Sequence, residues 1–251
     1  MRDFLIRGML AGILAAFVAF AFASIVGEPE INRAIAIEEA VMHSDGMLDQ
    51  HAHDEPEGIS RTLQSTVGLA TGLLMLGVAY GGLFAIAFAV ASGRIGGLGE
   101  RGTALLVALA AFTAISLIPF LKYPANPPAV GDPETIVART QLYFAMILVG
   151  VIVTVGAFVL RHQLLARWSP WTASIASALL MGALLVVALL VLPAGDEVTD
   201  FPADVLWRFR TASIGMQLSI WLTLGLAFGA MGERAAARSV GAPVRRASAV
   251  S

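Results

Sequence analysis

The 251-residue sequence contains no cysteine and few charged residues. Without cysteine the chain can form no disulfide, iron–sulfur cluster, thiolate zinc site or cysteine nucleophile. Any metal ion must therefore be bound by histidine, carboxylate, amide, carbonyl or methionine groups. Charged residues make up 14% of the chain and hydrophobic residues 57%, whereas about 25% of an ordinary soluble domain is charged. This balance excludes a soluble globular enzyme and a disordered protein.

The sequence also lacks the signature motifs of common enzymes. It contains no P-loop, no H-E-x-x-H zinc helix, no nucleophile elbow and no dinucleotide-binding glycine fingerprint. The long apolar stretches contain no ionisable side chain in their interiors, which argues against a proton pump with a buried carboxylate relay. We therefore expect a protein that is not an enzyme, has no permanent cofactor and binds no nucleic acid.

Long apolar runs are what the sequence has in abundance. Six stretches of about 20 residues are long enough to cross a bilayer as helices. They predict an all-α, polytopic helical membrane protein with spans at about Phe4–Val26, Val67–Ala91, Thr103–Leu121, Leu142–Leu160, Trp171–Leu192 and Thr211–Met231. The alternative is five spans, because Ala21–Ala23 follows the small-x-small pattern of a cleaved signal peptide.

The charges predict which way the helices cross the membrane. The links on one side, together with both termini, contain 10 arginines and 3 acids, whereas the other three links contain 6 basic residues and 15 acids. Because arginine is enriched on the cytoplasmic side of membrane proteins, both termini should be cytoplasmic. The domain organisation expected is a single transmembrane domain over 1–232, with an outer loop over 27–66 between the first two helices. A flexible cytoplasmic tail follows over 233–251.

The three outer links share a pattern that indicates a threefold repeat of helical hairpins. Each begins with glycine and clustered acids, and each ends near an Arg-Thr pair, at Arg61, Arg139 and Arg210. If the repeat is real, the arginines would pair with carboxylates around one outer mouth. Chance and ordinary helix capping are the alternative explanation.

Histidines and acids in the outer links are the candidate metal ligands. The first link contains His43, His51 and His53 with Asp54 close by, and imidazole with carboxylate suits borderline divalent cations. Further acids near the span ends would attract cations, and they are Glu28, Glu30, Asp132 and Glu134. Met42 and Met47 are weaker candidates, for Cu(I). The alternative is a solvated acidic loop without a fixed site.

The proline block after the third span is the most unusual segment. Four prolines within Pro119–Pro128 remove backbone donors and fix the backbone, so the chain after the third span should be rigid and non-helical. Its carbonyls and Asn126 could coordinate a cation, and Lys122, the single lysine, could pair with an outer acid or act as a gate charge. A rigid connector with a lysine reaching to the interface is an equally good interpretation.

Small residues at i, i+4 spacing recur in three spans. Gly8 and Gly12, Gly77 and Gly81, and Gly225 and Gly229 form G-x-x-x-G faces, which let helix backbones approach closely in lipid. Packing within the chain is the main interpretation, and contact in a homo-oligomer is the alternative.

Several blocks together resemble one known family. The segments Phe4–Gly12, Gly27–Ile35, Pro119–Thr135 and Phe201–Arg210 are similar to the CbtA family, a predicted cobalt transporter subunit associated with cobalamin metabolism. The proline block is the longest and most specific of them. The resemblance implies Co²⁺ uptake through the bacterial plasma membrane and a small membrane partner, CbtB. The family is usually described with five spans, whereas six are counted here.

The function expected from all of this is inward movement of Co²⁺ through a membrane subunit. Outer acids would attract the cation, and the histidine segment would gather it before it passes inward. Two alternatives remain open from the sequence. One is a non-transporting membrane metal sensor or scaffold that regulates a partner, and the other is a Ni²⁺ transporter.

Overall fold

The computed structural model describes residues 1–44, 60–95, 97–128, 130–131, 133–195 and 201–247. Over these ranges every regular element is helical, and no strand occurs. The long helices are α1 (Arg2–Phe22), α2 (Glu28–Ser44), α4 (Leu69–Ala91), α5 (Glu100–Ala111), α7 (Ile136–Leu164), α8 (Pro170–Val191) and α9 (Ala203–Ala247). Shorter helical turns are α3 (Arg61–Leu63), α6 (Ile118–Lys122) and a 3₁₀ turn at Pro133–Thr135.

Six of the resulting continuous helices are long and apolar enough to cross a membrane, and they coincide with the six predicted spans. The all-α, six-span prediction is confirmed. The helices begin and end where the sequence changes from apolar to polar or meets a proline. Ser169, for example, caps α8 by accepting a hydrogen bond from the Thr172 amide, and Pro170 takes the first helical position, where its missing N–H costs nothing.

Three of the spans contain a π-helical segment, at Ala23–Gly27, Gln64–Gly68 and Phe112–Leu117. The first and third lie just before Pro29 and Pro119. A proline has no N–H for the usual bond to the fourth preceding carbonyl, so the helix widens locally. In the second segment, the Thr66 hydroxyl donates to the Thr62 carbonyl at 2.6 Å. Such segments are frequent at functional sites.

The chain forms two compact units. Unit 1 comprises Met1–Ile25, Gly58–Leu109 and Met216–Ser251, and unit 2 comprises Val26–Glu57 and Ala110–Gly215. Three of the four boundaries between these units fall within continuous helices, and the fourth lies outside the described residues. The single transmembrane domain expected over 1–232 stays a prediction.

Unit 1 is built on direct backbone contact between α1 and α4. A Cβ atom added to Gly12 would meet the Gly77 carbonyl, and one added to Gly8 would meet the Gly81 carbonyl. Ala11, Ala15 and Ala19 of α1 are fully buried. The two predicted glycine faces of the first and second spans therefore pack against each other within the chain, as the main interpretation expected.

The rest of unit 1 is filled by aromatic rings and a second glycine contact. Phe228 is completely buried, and its ring centroid lies 4.7 Å from that of Phe88 and 5.3 Å from that of Phe84. The third glycine face is also used within the chain, because a Cβ atom on Gly225 would lie 2.8 Å from the Cβ of Ala108. This unit is dry and closely packed.

Unit 2 is much more open. Only 11% of the most apolar stretch of α7 and 6% of that of α8 is buried, against 33% to 39% for the other spans. Gly150 of α7 lies directly on the Ala114 carbonyl in the third π segment, so the two helices approach closely there. Most other apolar side chains of α7 and α8, such as Leu148 and Leu190, are exposed.

Two helices continue further than the sequence indicated. Within the predicted loop over 27–66, the 17 residues Glu28–Ser44 form α2, which follows the first span without a break through the π segment. At the other end, α9 runs on to Ala247, through most of the stretch predicted as a flexible tail from residue 233. Alanine-rich sequence, as in Glu233–Arg238, favours this extension.

Candidate functional site

Two of the predicted metal ligands lie at the carboxyl end of the first predicted span. Glu28 and Glu30 are in the first turn of α2, immediately after the π segment Ala23–Gly27. The Arg33 guanidinium donates to Oε1 of Glu30 at 2.6 Å. Oε2 of Glu30 is buried and has no hydrogen-bond partner within the described part of the chain. Leaving a buried carboxylate oxygen unpaired costs about 1–3 kcal/mol, so this oxygen is available to a cation.

The remaining predicted ligands are not brought together by the described residues. Glu134 lies in the 3₁₀ turn Pro133–Thr135 and is exposed. His43 belongs to the last turn of α2, where only the backbone is described. His51, His53, Asp54 and Asp132 lie outside the described residues. Within the described ranges, no three side chains from histidine, aspartate and glutamate come close enough to hold a metal ion.

Arg210 is used differently from what the repeat pattern predicted. Its Nη2 donates to Oδ1 of Asn126 at 2.9 Å, and its Nε donates to the Ala125 carbonyl at 3.3 Å. Both acceptors are neutral oxygens of the proline block. The expectation that this arginine holds an outer carboxylate is not met among the described residues, and the acids Asp196 and Glu197 of the third link lie outside them.

Lys122 and Tyr123 connect the proline block to the carboxyl end of α8. The Lys122 ammonium donates to the Leu189 carbonyl at 2.8 Å, and the Tyr123 hydroxyl donates to the Pro193 carbonyl at 2.7 Å. The last carbonyls of a helix have no partner within the helix, so the Lys122 bond satisfies one of them, while the Tyr123 bond goes to a carbonyl just after the helix. Burial raises the pKa of Tyr123 above its ordinary value. Lys122 therefore caps a helix, and no acid among the described residues forms an ion pair with it.

A tight turn precedes the fourth span. Gly131 has φ +103°, a backbone conformation that side chains rarely adopt, and the Arg139 guanidinium lies against it. A Cβ atom at Gly131 would be 2.6 Å from Nη1 of Arg139. The positive φ favours glycine at this position, whereas the flexible Arg139 side chain could move aside. Pairing of Arg139 with a carboxylate of the Gly131–Glu134 acidic cluster stays a prediction.

Together, these residues form a polar region in unit 2 with Lys122, Asn126 and Arg210 at its centre. The sequence drew attention to each of them through the proline block and the Arg-Thr pairs. It did not indicate the Leu189 and Pro193 carbonyls, because backbone acceptors carry no residue-specific signal. The π segments were also missed, although Pro29 and Pro119 close behind apolar runs are the signal that would have predicted two of them.

Comparison with known proteins identifies one family. The family model of CbtA, described as a probable cobalt transporter subunit, matches residues 1–233. This range contains all six spans and the polar region of unit 2. No curated protein and no solved structure matches the chain.

Proposed function

Because the chain belongs to the CbtA family of cobalt transporter subunits, we propose that it carries Co²⁺ inward across the plasma membrane. The observation that supports this most is the match itself, which extends over residues 1–233 and so includes every span of a multi-pass membrane protein. The membrane potential alone would favour entry of a divalent cation by about 4–5 kcal/mol per 100 mV. The cation is the cargo of the protein and not a resident cofactor.

Cation capture is assigned to the outer face. Glu28 and Glu30 form the entrance, and the buried, unpaired Oε2 of Glu30 supports this assignment. Asp132 and Glu134 add negative charge, while His43, His51, His53 and Asp54 gather the ion before it enters. Imidazole and carboxylate groups together are suited to Co²⁺ and equally to Ni²⁺.

Passage through the apolar spans requires oxygen ligands, because the spans contain no carboxylate at depth. The third π segment, Phe112–Leu117 in unit 2, is the candidate source of these ligands, because it departs from regular α-helical bonding and contains the hydroxyl groups of Thr113 and Ser116.

The partner and the orientation belong to the same proposal. The family is described as a subunit, and we assign the second chain to a small membrane protein resembling CbtB. The exposed apolar faces of α7 and α8 offer room for its helix. The excess of arginine in the links of one side places both termini in the cytoplasm.

Uptake of radiolabelled Co²⁺ in cells that lack other cobalt importers tests the function. The cells should express the chain alone, the chain with its small partner, and a Glu28→Gln/Glu30→Gln variant. We expect uptake that falls at least tenfold in this variant, since both proposed entrance carboxylates are neutralised. Glu38→Gln/Glu39→Gln is the matched control, because it removes the same charge from the same helix.

Equal losses in the two double variants would contradict an entrance at Glu28 and Glu30. Absence of uptake in every combination, with Co²⁺ still bound by the purified protein, would exclude transport and favour the sensor or scaffold. Uptake of Ni²⁺ in preference to Co²⁺ would support inward transport of a divalent cation but change the identity of the transported ion.

A further inference from the structure

The guanidinium of Arg210 is bound by neutral oxygens. It is half-buried, and its two hydrogen bonds go to Oδ1 of Asn126 and the carbonyl of Ala125. No carboxylate forms an ion pair with it among the residues that the structure describes. A buried charge is normally paired or fully hydrogen-bonded. Among the described residues, this positive charge is balanced by the dipoles of an amide and a peptide group.

The backbone that carries the two oxygens is restricted by the covalent structure of the proline block. Asn126 is preceded by Pro124 and Ala125 and followed by Pro127 and Pro128. Each proline fixes its own φ, and it restricts the residue before it to extended backbone. Pro127 is buried, which anchors the segment further. The Ala125 carbonyl and the Cα of Asn126 would therefore keep their positions if the guanidinium were withdrawn, and the short Asn126 side chain would stay within reach of the same place.

Amide and carbonyl oxygens in a rigid backbone are also ligands for metal cations. Protein sites for divalent cations use asparagine and backbone carbonyl oxygens, and ion-conducting filters use carbonyl oxygens to replace the hydration shell. A site with two neutral oxygens would bind a cation weakly and complete its coordination with water. Weak binding suits a transit point, where the ion must also leave.

We propose that the Ala125 carbonyl and Oδ1 of Asn126 form a transit site for a divalent cation, and that Arg210 occupies this site in its absence. This inference rests on the proposed function. The guanidinium and a divalent cation cannot share the oxygens, because like charges at contact distance repel strongly where burial lowers the dielectric constant. Arrival of the ion therefore requires Arg210 to withdraw, and departure of the ion lets it return.

The arrangement would also limit leakage. While Arg210 occupies the oxygens, its positive charge opposes passage of other cations through the proline block. Lys122, four residues before Asn126, adds a second positive charge that is held by the Leu189 carbonyl. An ion that offers two charges competes for the oxygens better than a monovalent ion does.

Direct binding of radiolabelled Co²⁺ to purified full-length protein tests the proposal. The background variant is His43→Ala/His51→Ala/His53→Ala, which removes the imidazoles of the outer segment. In this background we expect Arg210→Gln to tighten Co²⁺ binding by about tenfold, because the competing charge is gone. Adding Asn126→Leu to Arg210→Gln should abolish the gain, since one of the two oxygens is then missing.

Arg161→Gln is the matched control. Arg161 lies in the same unit, and its Nε donates to Oγ of Ser174 at 2.8 Å, so the variant also removes a half-buried guanidinium and its hydrogen bond. We expect no gain in Co²⁺ binding from it. If Arg210→Gln does not fold, Arg210→Lys tests the proposal instead. The lysine ammonium is a point charge and occupies the two oxygens less well than the planar guanidinium does. We therefore expect Arg210→Lys to raise the affinity for Co²⁺ by about threefold.

A purely structural role for Arg210 predicts lower thermal stability with unchanged Co²⁺ affinity, and that result would overturn the proposal. The proposal would also be overturned if the gain in Co²⁺ affinity remained after Asn126→Leu was added, or if Arg161→Gln gave the same gain. The binding measurement does not depend on transport. If wild-type cells take up no cobalt while the binding gains appear as expected, the site stands and the proposed function fails.

Discussion

The two units of the molecule are each stabilised internally by a different kind of interaction. In unit 1, α1 and α4 meet backbone to backbone at four glycines, and the remaining space is filled by phenylalanine rings. In unit 2, charged and phenolic side chains of Lys122, Tyr123 and Arg210 bind carbonyl and amide oxygens. The first kind of contact is dry and permits little adjustment. The second kind can be exchanged for water or an ion.

This difference indicates that the two units have different roles. A helix pair without side chains between the backbones has no alternative rotamers and cannot admit an ion, so unit 1 is suited to a fixed support. The proline block of unit 2 combines rigid acceptors with long, movable donors. We therefore expect substitutions in unit 1 to change stability, and substitutions in the polar region of unit 2 to change ion binding with smaller costs in stability.

The largest effect is expected from Gly81→Ala in unit 1. The new Cβ atom would meet the Gly8 carbonyl, whereas a Cβ atom on the neighbouring Gly82 would meet nothing within 4 Å. We expect Gly81→Ala to lower the free energy of unfolding by about 3 kcal/mol, and Gly82→Ala to change it by less than about 1 kcal/mol. Thermal unfolding of the purified protein in detergent measures both. Similar losses in the two variants would show that α1 and α4 do not pack through this face.

A smaller effect is expected from Lys122→Met in unit 2. The substitution removes the hydrogen bond to the Leu189 carbonyl and leaves a helix-end acceptor without its donor. We expect a loss of about 2 kcal/mol in stability, as for other hydrogen bonds with a charged partner. Arg208→Met, which removes an exposed positive charge from α9, should cost less than about 0.5 kcal/mol. Equal effects would mean that net charge matters and the carbonyl bond does not.

The smallest effect is expected from Tyr123→Phe, which removes the hydroxyl bond to the Pro193 carbonyl. We expect a cost of about 1 kcal/mol at neutral pH. Because burial raises the pKa of Tyr123, the folded protein favours the protonated phenol. This contribution is therefore fully present below the ordinary tyrosine pKa of about 10 and is lost as the pH rises through the raised value. Melting temperatures of the wild type and the variant should converge at alkaline pH, and a constant difference would refute the titration.

Much of the fold could be predicted from the sequence because bilayer thickness fixes helix length. All six spans were found from apolar runs, and the glycine faces of Gly8–Gly12 and Gly77–Gly81 from their spacing. The sequence could not show that these two faces pack against each other and not against a second copy. That choice depends on three-dimensional neighbours, which spacing along one helix does not specify.

The candidate site was predicted less completely. The outer acids Glu28 and Glu30 are placed at the end of the first span, as their position after an apolar run indicated. The partner of Arg210 was not foreseen, because clustered acids nearby favour an ion pair in any argument from composition. Only the folded backbone shows that Asn126 and the Ala125 carbonyl accept hydrogen bonds from Arg210. Whether His51 and His53 contribute stays a prediction.

The bond from Lys122 to the Leu189 carbonyl has a practical consequence, because this is the one lysine side chain in the sequence. An amine-selective reagent has a single side-chain target, and that amine is hydrogen-bonded as long as the proline block stays attached to the end of α8. The rate at which this amine is acylated would therefore report how often the hydrogen bond to the Leu189 carbonyl breaks in the wild-type protein. The molecule contains its own reporter group at the place where movement is expected.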